Sequence, residues 1–305
     1  MVRRIAPSPG AVLKPDALVK PGSLDCSAGP AEVSHRSATG VVLRRPVWWL
    51  LCGLLWAATS GHAATLQYDG RATDPDSGRL LYTERHLLRE VDGSPRDRLV
   101  SYLCPNGTLF ARKRVDYAPS AVAPSFQLDD GRDGYREGVR RADGRISAFV
   151  RKRTGAPEES GPLPTGERLV ADAGFDEYVR RNWAALVAGK TLLVDFAVPA
   201  SRRAYTFKLR KLASPTIDGV PAYLFRLKIS GLLGLVAPQI DVAYARQSKR
   251  LLRFEGVTNL RDAEGDQWTA RIAFADRAAT AVDDASWARA KAAPLGACVS
   301  QRQGQ

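Results

Sequence analysis

In the second half of the chain, short runs alternate apolar and polar residues so regularly that few folds can accept them. Tyr205, Phe207 and Leu209 fall on one side of a strand, with Thr206, Lys208 and Arg210 on the other. Successive side chains of a strand point to opposite faces, so a period of two marks a half-buried strand. Tyr223, Phe225, Leu227 and Ile229 repeat the device against Arg226 and Lys228; Ile240, Val242 and Tyr244 follow, then Leu252 and Phe254, then Trp268, Ile272 and Phe274. The linkers at 214–219 and 262–266 are rich in turn residues and too short for crossover helices, which leaves antiparallel pairing.

The first half reads as strands over 65–72, 80–91, 98–103, 108–116, 134–141 and 145–152, with turns at Pro105-Asn106-Gly107 and Ala142-Asp143-Gly144. Between the halves, Phe175, Tyr178, Val179, Trp183, Leu186 and Val187 recur at helical spacing, with Asp172 able to cap the start and Gly189 the end. Trp183 on that stripe is expected in the core. A short terminal helix is expected in "DDASWARAKAAPLGAC". A sheet with one apolar face and so few helices must curl, sandwich or be plugged. The expected fold is mainly β: a curled antiparallel sheet or incomplete barrel of about ten strands, with one mid-chain amphipathic helix packed on it.

Upstream, "RRPVWWLLCGLLWAATSGHAAT" sets two arginines before an apolar run from Val47 to about Thr59 and then small residues. That order is the build of a cleavable signal peptide, and the run is shorter than the roughly 20 apolar residues of a membrane span. Cleavage after Ala63 puts Gly61 and Ala63 in the two positions that must be small. Residues 1–40 lack any apolar period and read as a disordered leader or a gene-model artefact, with translation starting near Val41 or Val42. The chain then divides into a signal at 41–63, a single β-rich domain at 64–280, and a short helix and tail at 281–305. The expected location is the periplasm or the exterior.

Loss of residues 1–63 removes seven Lys/Arg and three Asp/Glu, so the net charge falls from +13 to +9. A basic exported chain meets anionic lipid before nucleic acid, and no aromatic stacking motif accompanies the charge, so nucleic acid is not an expected partner. Between Arg132 and Arg153 eight basic residues face three acidic ones; Arg136, Arg140, Arg141, Arg145 and Arg151 are the candidates for touching an anionic membrane surface, and a solvated hairpin is the alternative. Export also discards Cys26 and Cys52. The remaining Cys104 and Cys298 are expected to form one disulfide in an oxidising compartment, with two free thiols as the alternative.

Candidate chemistry is sparse. His86 alone would remain after processing, which argues against a histidine-built metal site, and no Gly-x-Ser-x-Gly elbow supplies a nucleophile. Glu84 and His86 share a strand face and can form an acid/base pair or a hydrogen-bonded surface pair. Asp129, Asp130 and Asp133 crowd two glycines, but the third position of an EF-hand count is Gly131 and the twelfth Arg140, so a tight turn is expected there instead. No metal, cofactor or catalytic residue is assigned.

The segment "SGLLGLVAPQI" is apolar without alternation, so Leu232, Leu233, Leu235 and Val236 can serve as a lid over an apolar ligand or plug the core. The sheet residues Tyr205, Phe207, Tyr223 and Phe225 are the other expected ligand contacts. Taken from about Thr65 to Asp276, the signal peptide, meander, amphipathic helix and ending "YARQSKRLLRFEGVTNLRD" resemble the exported half-barrel proteins of the bacterial envelope, the lipoprotein-carrier and lipoprotein-sorting-like group, or an uncharacterised secreted family of the same architecture. The chain departs from that group in carrying its main helix mid-chain. The resemblance implies acyl chains held in a concave apolar face, hence a non-catalytic protein that binds or carries an apolar or lipid-like ligand; the alternative is an envelope scaffold with a filled core that binds a protein partner.

Overall fold

The computed structural model describes residues 63–231, 239–262 and 264–298. Seventeen strands are described: β1 (Ala63–Thr73), β2 (Leu80–Val91), β3 (Ser94–Leu103), β4 (Leu109–Asp116), β5 (Ser125–Asp130), β6 (Arg136–Ala142), β7 (Arg145–Arg151), β8 (Glu159–Pro162), β9 (Leu169–Val170), β10 (Leu192–Val198), β11 (Arg203–Ala213), β12 (Thr216–Ile217), β13 (Val220–Ile229), β14 (Ile240–Ala245), β15 (Leu251–Arg261), β16 (Gln267–Phe274) and β17 (Thr280–Val282). The helices are α1 (Gly174–Arg181), α2 (Trp183–Val187) and α3 (Asp284–Ala292), with one 3-10 turn at Pro199–Ser201.

One sheet holds them all. β1 sits at its centre, paired along its length with β2 on one side and with β16 and then β17 on the other. From β2 the ladder meanders antiparallel out to β8. From β16 it runs back through β15, β14, β13, β11 and β10, and ends on β9 in a short parallel pair. The two outer edges come together without a ladder between them among the described residues. Arg202 after β10 pairs with Glu159 of β8, and Leu163, Leu169, Ala197, Val139 and Ile146 form one apolar cluster across the seam. A Cβ on Gly161 would stand 2.4 Å from the Arg202 carbonyl oxygen, so only glycine allows this approach. The fold is therefore an incomplete, mainly β barrel.

Alternation explains the register. Phe225 faces Val242, Val242 faces Phe254, and Phe254 faces Ile272, so one apolar row crosses four strands on the inner face. The strand count exceeds the expected ten because β5, β8, β9, β10, β12 and β17 were not legible by period: β8, β9, β12 and β17 are only two to four residues long, and β10 is an unbroken apolar run apart from Asp195.

The expected single helix is two. Asn182 interrupts it, its side-chain Nδ2 donating to the Tyr178 carbonyl at 2.9 Å, where a local bond competes with the helical ladder. Asp172 does not cap it either. It adopts a left-handed backbone (φ 43°) and its carboxylate holds Lys113 at 2.7 Å. Gly189 does end the second helix, at φ 87° with its N–H donating to Leu186. Trp183 lies edge-on to Tyr223, Phe225 and Tyr244, so the helical stripe packs onto the sheet as expected. At the chain's end, α3 is capped by Asp283, which accepts the Ser286 N–H at 2.8 Å, and Cys104 and Cys298 are joined, their Cα atoms 5.8 Å apart.

Candidate functional site

The interior of the barrel is unevenly filled. At the α1–α2 end, Phe207 and Phe225 are buried in a packed core with Tyr178, Val179 and Leu186, and Tyr205 and Tyr223 lie against it. The other side of the interior holds a cavity of about 620 Å³. None of Tyr205, Phe207, Tyr223 and Phe225 lines it, because the helices cover them first. Leu232, Leu233, Leu235 and Val236 lie outside the described residues. The cavity reaches the surface where the exposed Gly93, Arg277 and Ala278 belong to its lining.

One wall of this cavity is apolar, formed by Leu66, Phe196, Leu227, Val242, Phe254 and Ile272 among others. The facing wall is charged. Period two along β2 turns Tyr82, Glu84, His86, Leu88 and Glu90 inward, β3 contributes Arg98 and Tyr102, β4 Lys113, α1 Asp176 and Arg180, and the turn before α1 Asp172. Glu84 and His86 do share a face and bond at 2.9 Å, but both are buried inside the barrel and not on its surface. The register places His86 opposite Tyr68, and their rings stack at 4.6 Å; Phe274 meets the imidazole edge-on at 5.8 Å. Gly70 makes room for that ring, since a Cβ there would stand 2.4 Å from Phe274 Cε1.

Charge on this wall is organised around Asp176. Its Oδ1 accepts from the Tyr244 hydroxyl at 2.8 Å, and its Oδ2 stands 3.5 Å from Arg98 Nη1. Burial alone would raise its carboxyl, yet Arg180 and Arg98 hold it below the ordinary value. Behind this wall, Glu137 ties β6 to β15, accepting from Tyr135 Oη and Asn259 Nδ2, each at 2.6 Å; burial pushes it up against those hydrogen bonds. Several buried polar atoms of the cavity lining have no partner among the described residues: Tyr82 Oη, His86 Nδ1, Arg98 Nε and Asp172 Oδ2. Each such atom costs about 1–3 kcal/mol.

Burial lowers the His86 imidazole below its ordinary 6.5; Glu84 pulls it up, and Arg98 and Lys113 push it further down. The unfolded chain therefore takes up this proton at a higher pH than the folded one. The stability His86 contributes is complete above the unfolded value and is lost as pH falls through 6.5 toward the folded pKa. Urea denaturation of the wild type and His86→Gln across pH 8 to 5 should show the wild type losing the more stability. Parallel curves would contradict the assignment.

The other sequence candidates are placed differently. Arg136 binds Asp129 at 2.6 Å, Arg140 pairs with Glu158 over the Phe149 ring, Arg141 donates to the Ala123 carbonyl and Arg151 to that of Gly134. Arg145 is exposed. Four of these five arginines thus already hold protein groups. The three aspartates of the candidate metal loop are likewise held by arginines: Asp129 by Arg114 and Arg136, Asp130 by Arg132 and Asp133 by Arg261.

No family model and no curated protein matches the chain. A solved structure is similar. It is a β-barrel-like protein of a domain of unknown function, DUF1849, from Brucella abortus, with a TM-score of 0.36 and 8% identity over 73% of this chain and all of that one. At that distance nothing is carried across from it, and the site stands on its own geometry.

Proposed function

We propose that this chain is an exported, non-catalytic protein of the cell envelope that binds or carries an apolar or lipid-like ligand inside its incomplete barrel. The observation that carries this reading is the cavity of about 620 Å³, lined in part by the cross-strand apolar row Val242, Phe254 and Ile272. Small-molecule sites span roughly 300–1,000 Å³; this cavity has that volume, and its lining sets apolar residues beside a wall rich in charge. The scaffold alternative asks for a filled core, whereas packed clusters here leave the cavity between them.

Export is supported by the signal-like order of residues 44–64 and by the Cys104–Cys298 pair, which suits an oxidising compartment. The assignment as a binder and not an enzyme rests on the cavity lining, which among the described residues offers no serine or cysteine beside the buried Glu84–His86 pair. Native mass spectrometry of the protein purified from the envelope, followed by organic extraction, tests the reading. An extractable apolar molecule in the folded fraction is the expected result; a ligand-free protein that takes up no added lipid would contradict it.

A further inference from the structure

Among the buried charges of the polar wall, nearly all are already engaged. Lys113 and Asp172 meet at 2.7 Å, Glu84 and His86 at 2.9 Å, Arg180 and Glu177 at 2.5 Å, and Asp176 takes the Tyr244 hydroxyl at 2.8 Å. Arg98 differs. Its side chain is 5% exposed, its one ion contact among the described residues is the 3.5 Å approach to Asp176, and its Nε has no partner there. A guanidinium offers five N–H donors in a planar fork suited to an oxyanion. For comparison, Arg226 on the outer face places two of its nitrogens on Asp241 at 2.7 Å each.

We infer that Arg98 anchors the head group of the ligand, and that the ligand is an amphiphile whose apolar chain ends in an oxyanion, a carboxylate or a phosphate. This rests on the binding reading above and specifies its ligand class. The chain lies on the wall of Leu227, Val242, Phe254 and Ile272 while the head faces Arg98. Asp176 does not cancel the anchor, because that single carboxylate feels Arg180 as well as Arg98, stands 3.5 Å from the latter and accepts at its other oxygen from Tyr244. His86, held neutral by burial, adds no repulsion toward Arg98 and presents an unpartnered Nδ1 in the same wall.

The test is displacement of the neutral probe N-phenyl-1-naphthylamine from the wild-type protein by dodecanoate, dodecyl phosphate and dodecanol. Charge-assisted bonds to the guanidinium predict that at least one anion displaces the probe at concentrations about tenfold below the alcohol. Which anion is the stronger assigns the head group. Arg98→Gln should abolish that preference, the anions losing at least about tenfold relative to dodecanol measured on the same variant, a change of 1.4 kcal/mol. Equal displacement by all three, or a preference that survives Arg98→Gln, overturns the anchor while leaving the apolar cavity reading intact. A wild-type protein that does not take up the probe sinks both. Should Arg98→Gln fail to fold, Arg98→Lys takes its place: it keeps the charge and loses the planar fork, and an anion preference undiminished by it overturns the anchor.

Discussion

Reduction of the Cys104–Cys298 bond, or the substitution Cys298→Ser, should lower stability by about 3–4 kcal/mol and the melting temperature by roughly 10 °C. The bond joins residues 194 apart, so it removes a very large loop from the unfolded ensemble. It also fastens the tail to the barrel. Cys104 is buried with Tyr82, Tyr102 and Phe110, next to the β3–β4 turn, while the tail adds a backbone bond from Gly296 to Leu109 at 2.8 Å and an Arg112 donation to the Ala293 carbonyl. Those weaker ties, with Arg89 bound to Asp284 at 2.7 Å and lying over the Trp287 ring, cannot replace a covalent closure. Urea denaturation with and without a phosphine reductant measures the effect. A wild-type curve that is insensitive to reductant and superimposes on that of Cys298→Ser would contradict it.

Phe225→Ala should cost about 3–5 kcal/mol, the range for emptying a fully buried aromatic site. Phe225 is 0% exposed and touches Trp183 and Tyr244 edge-on or tilted, so its loss leaves a void where α2 seats on the sheet. Binding per folded molecule should change little, because Phe225 is not in the cavity lining. Its effect thus separates the packed end of the barrel from the open one. Chemical denaturation followed by Trp fluorescence reads the first part, and probe titration of the folded variant reads the second. A variant as stable as the wild type, or one that loses ligand at full stability, would refute this division of the interior.

The contrast explains what could and could not be read from the sequence. Period two placed β11, β13, β14, β15 and β16 because their outer faces carry charges and their inner faces apolar groups, a difference visible in one dimension. On β2 the same device failed. Glu84, His86 and Glu90 point inward and Arg85 outward, so polarity no longer distinguishes the faces and the pair was expected at the surface. Arg98 lies in "DRLVSYL" with nothing to mark it, since an arginine in a strand is ordinarily a surface residue. Only the closure of the sheet, set by the seam at Gly161 and Arg202, brings Arg98, Asp176 and Tyr244 from three distant segments onto one wall. Asp172 carries a local signal that its partner overrides: Asp before a helical pattern is a strong cap signal, and Lys113, which holds its carboxylate, is 59 residues away. The aromatic residues chosen as ligand contacts were inward as expected, but the helix stripe claims the same face.

The central claim, that an apolar ligand occupies this cavity, is tested most directly by filling it. Val257 and Leu66 are half-buried lining residues outside the packed α1–α2 core, so their enlargement intrudes on the cavity and not on the packed end. Titration of N-phenyl-1-naphthylamine should give at least about tenfold weaker binding to Val257→Trp and Leu66→Trp than to the wild type, a loss of 1.4 kcal/mol or more, with melting temperatures little changed. Undiminished binding to both folded variants would show that the ligand sits elsewhere and would contradict the account.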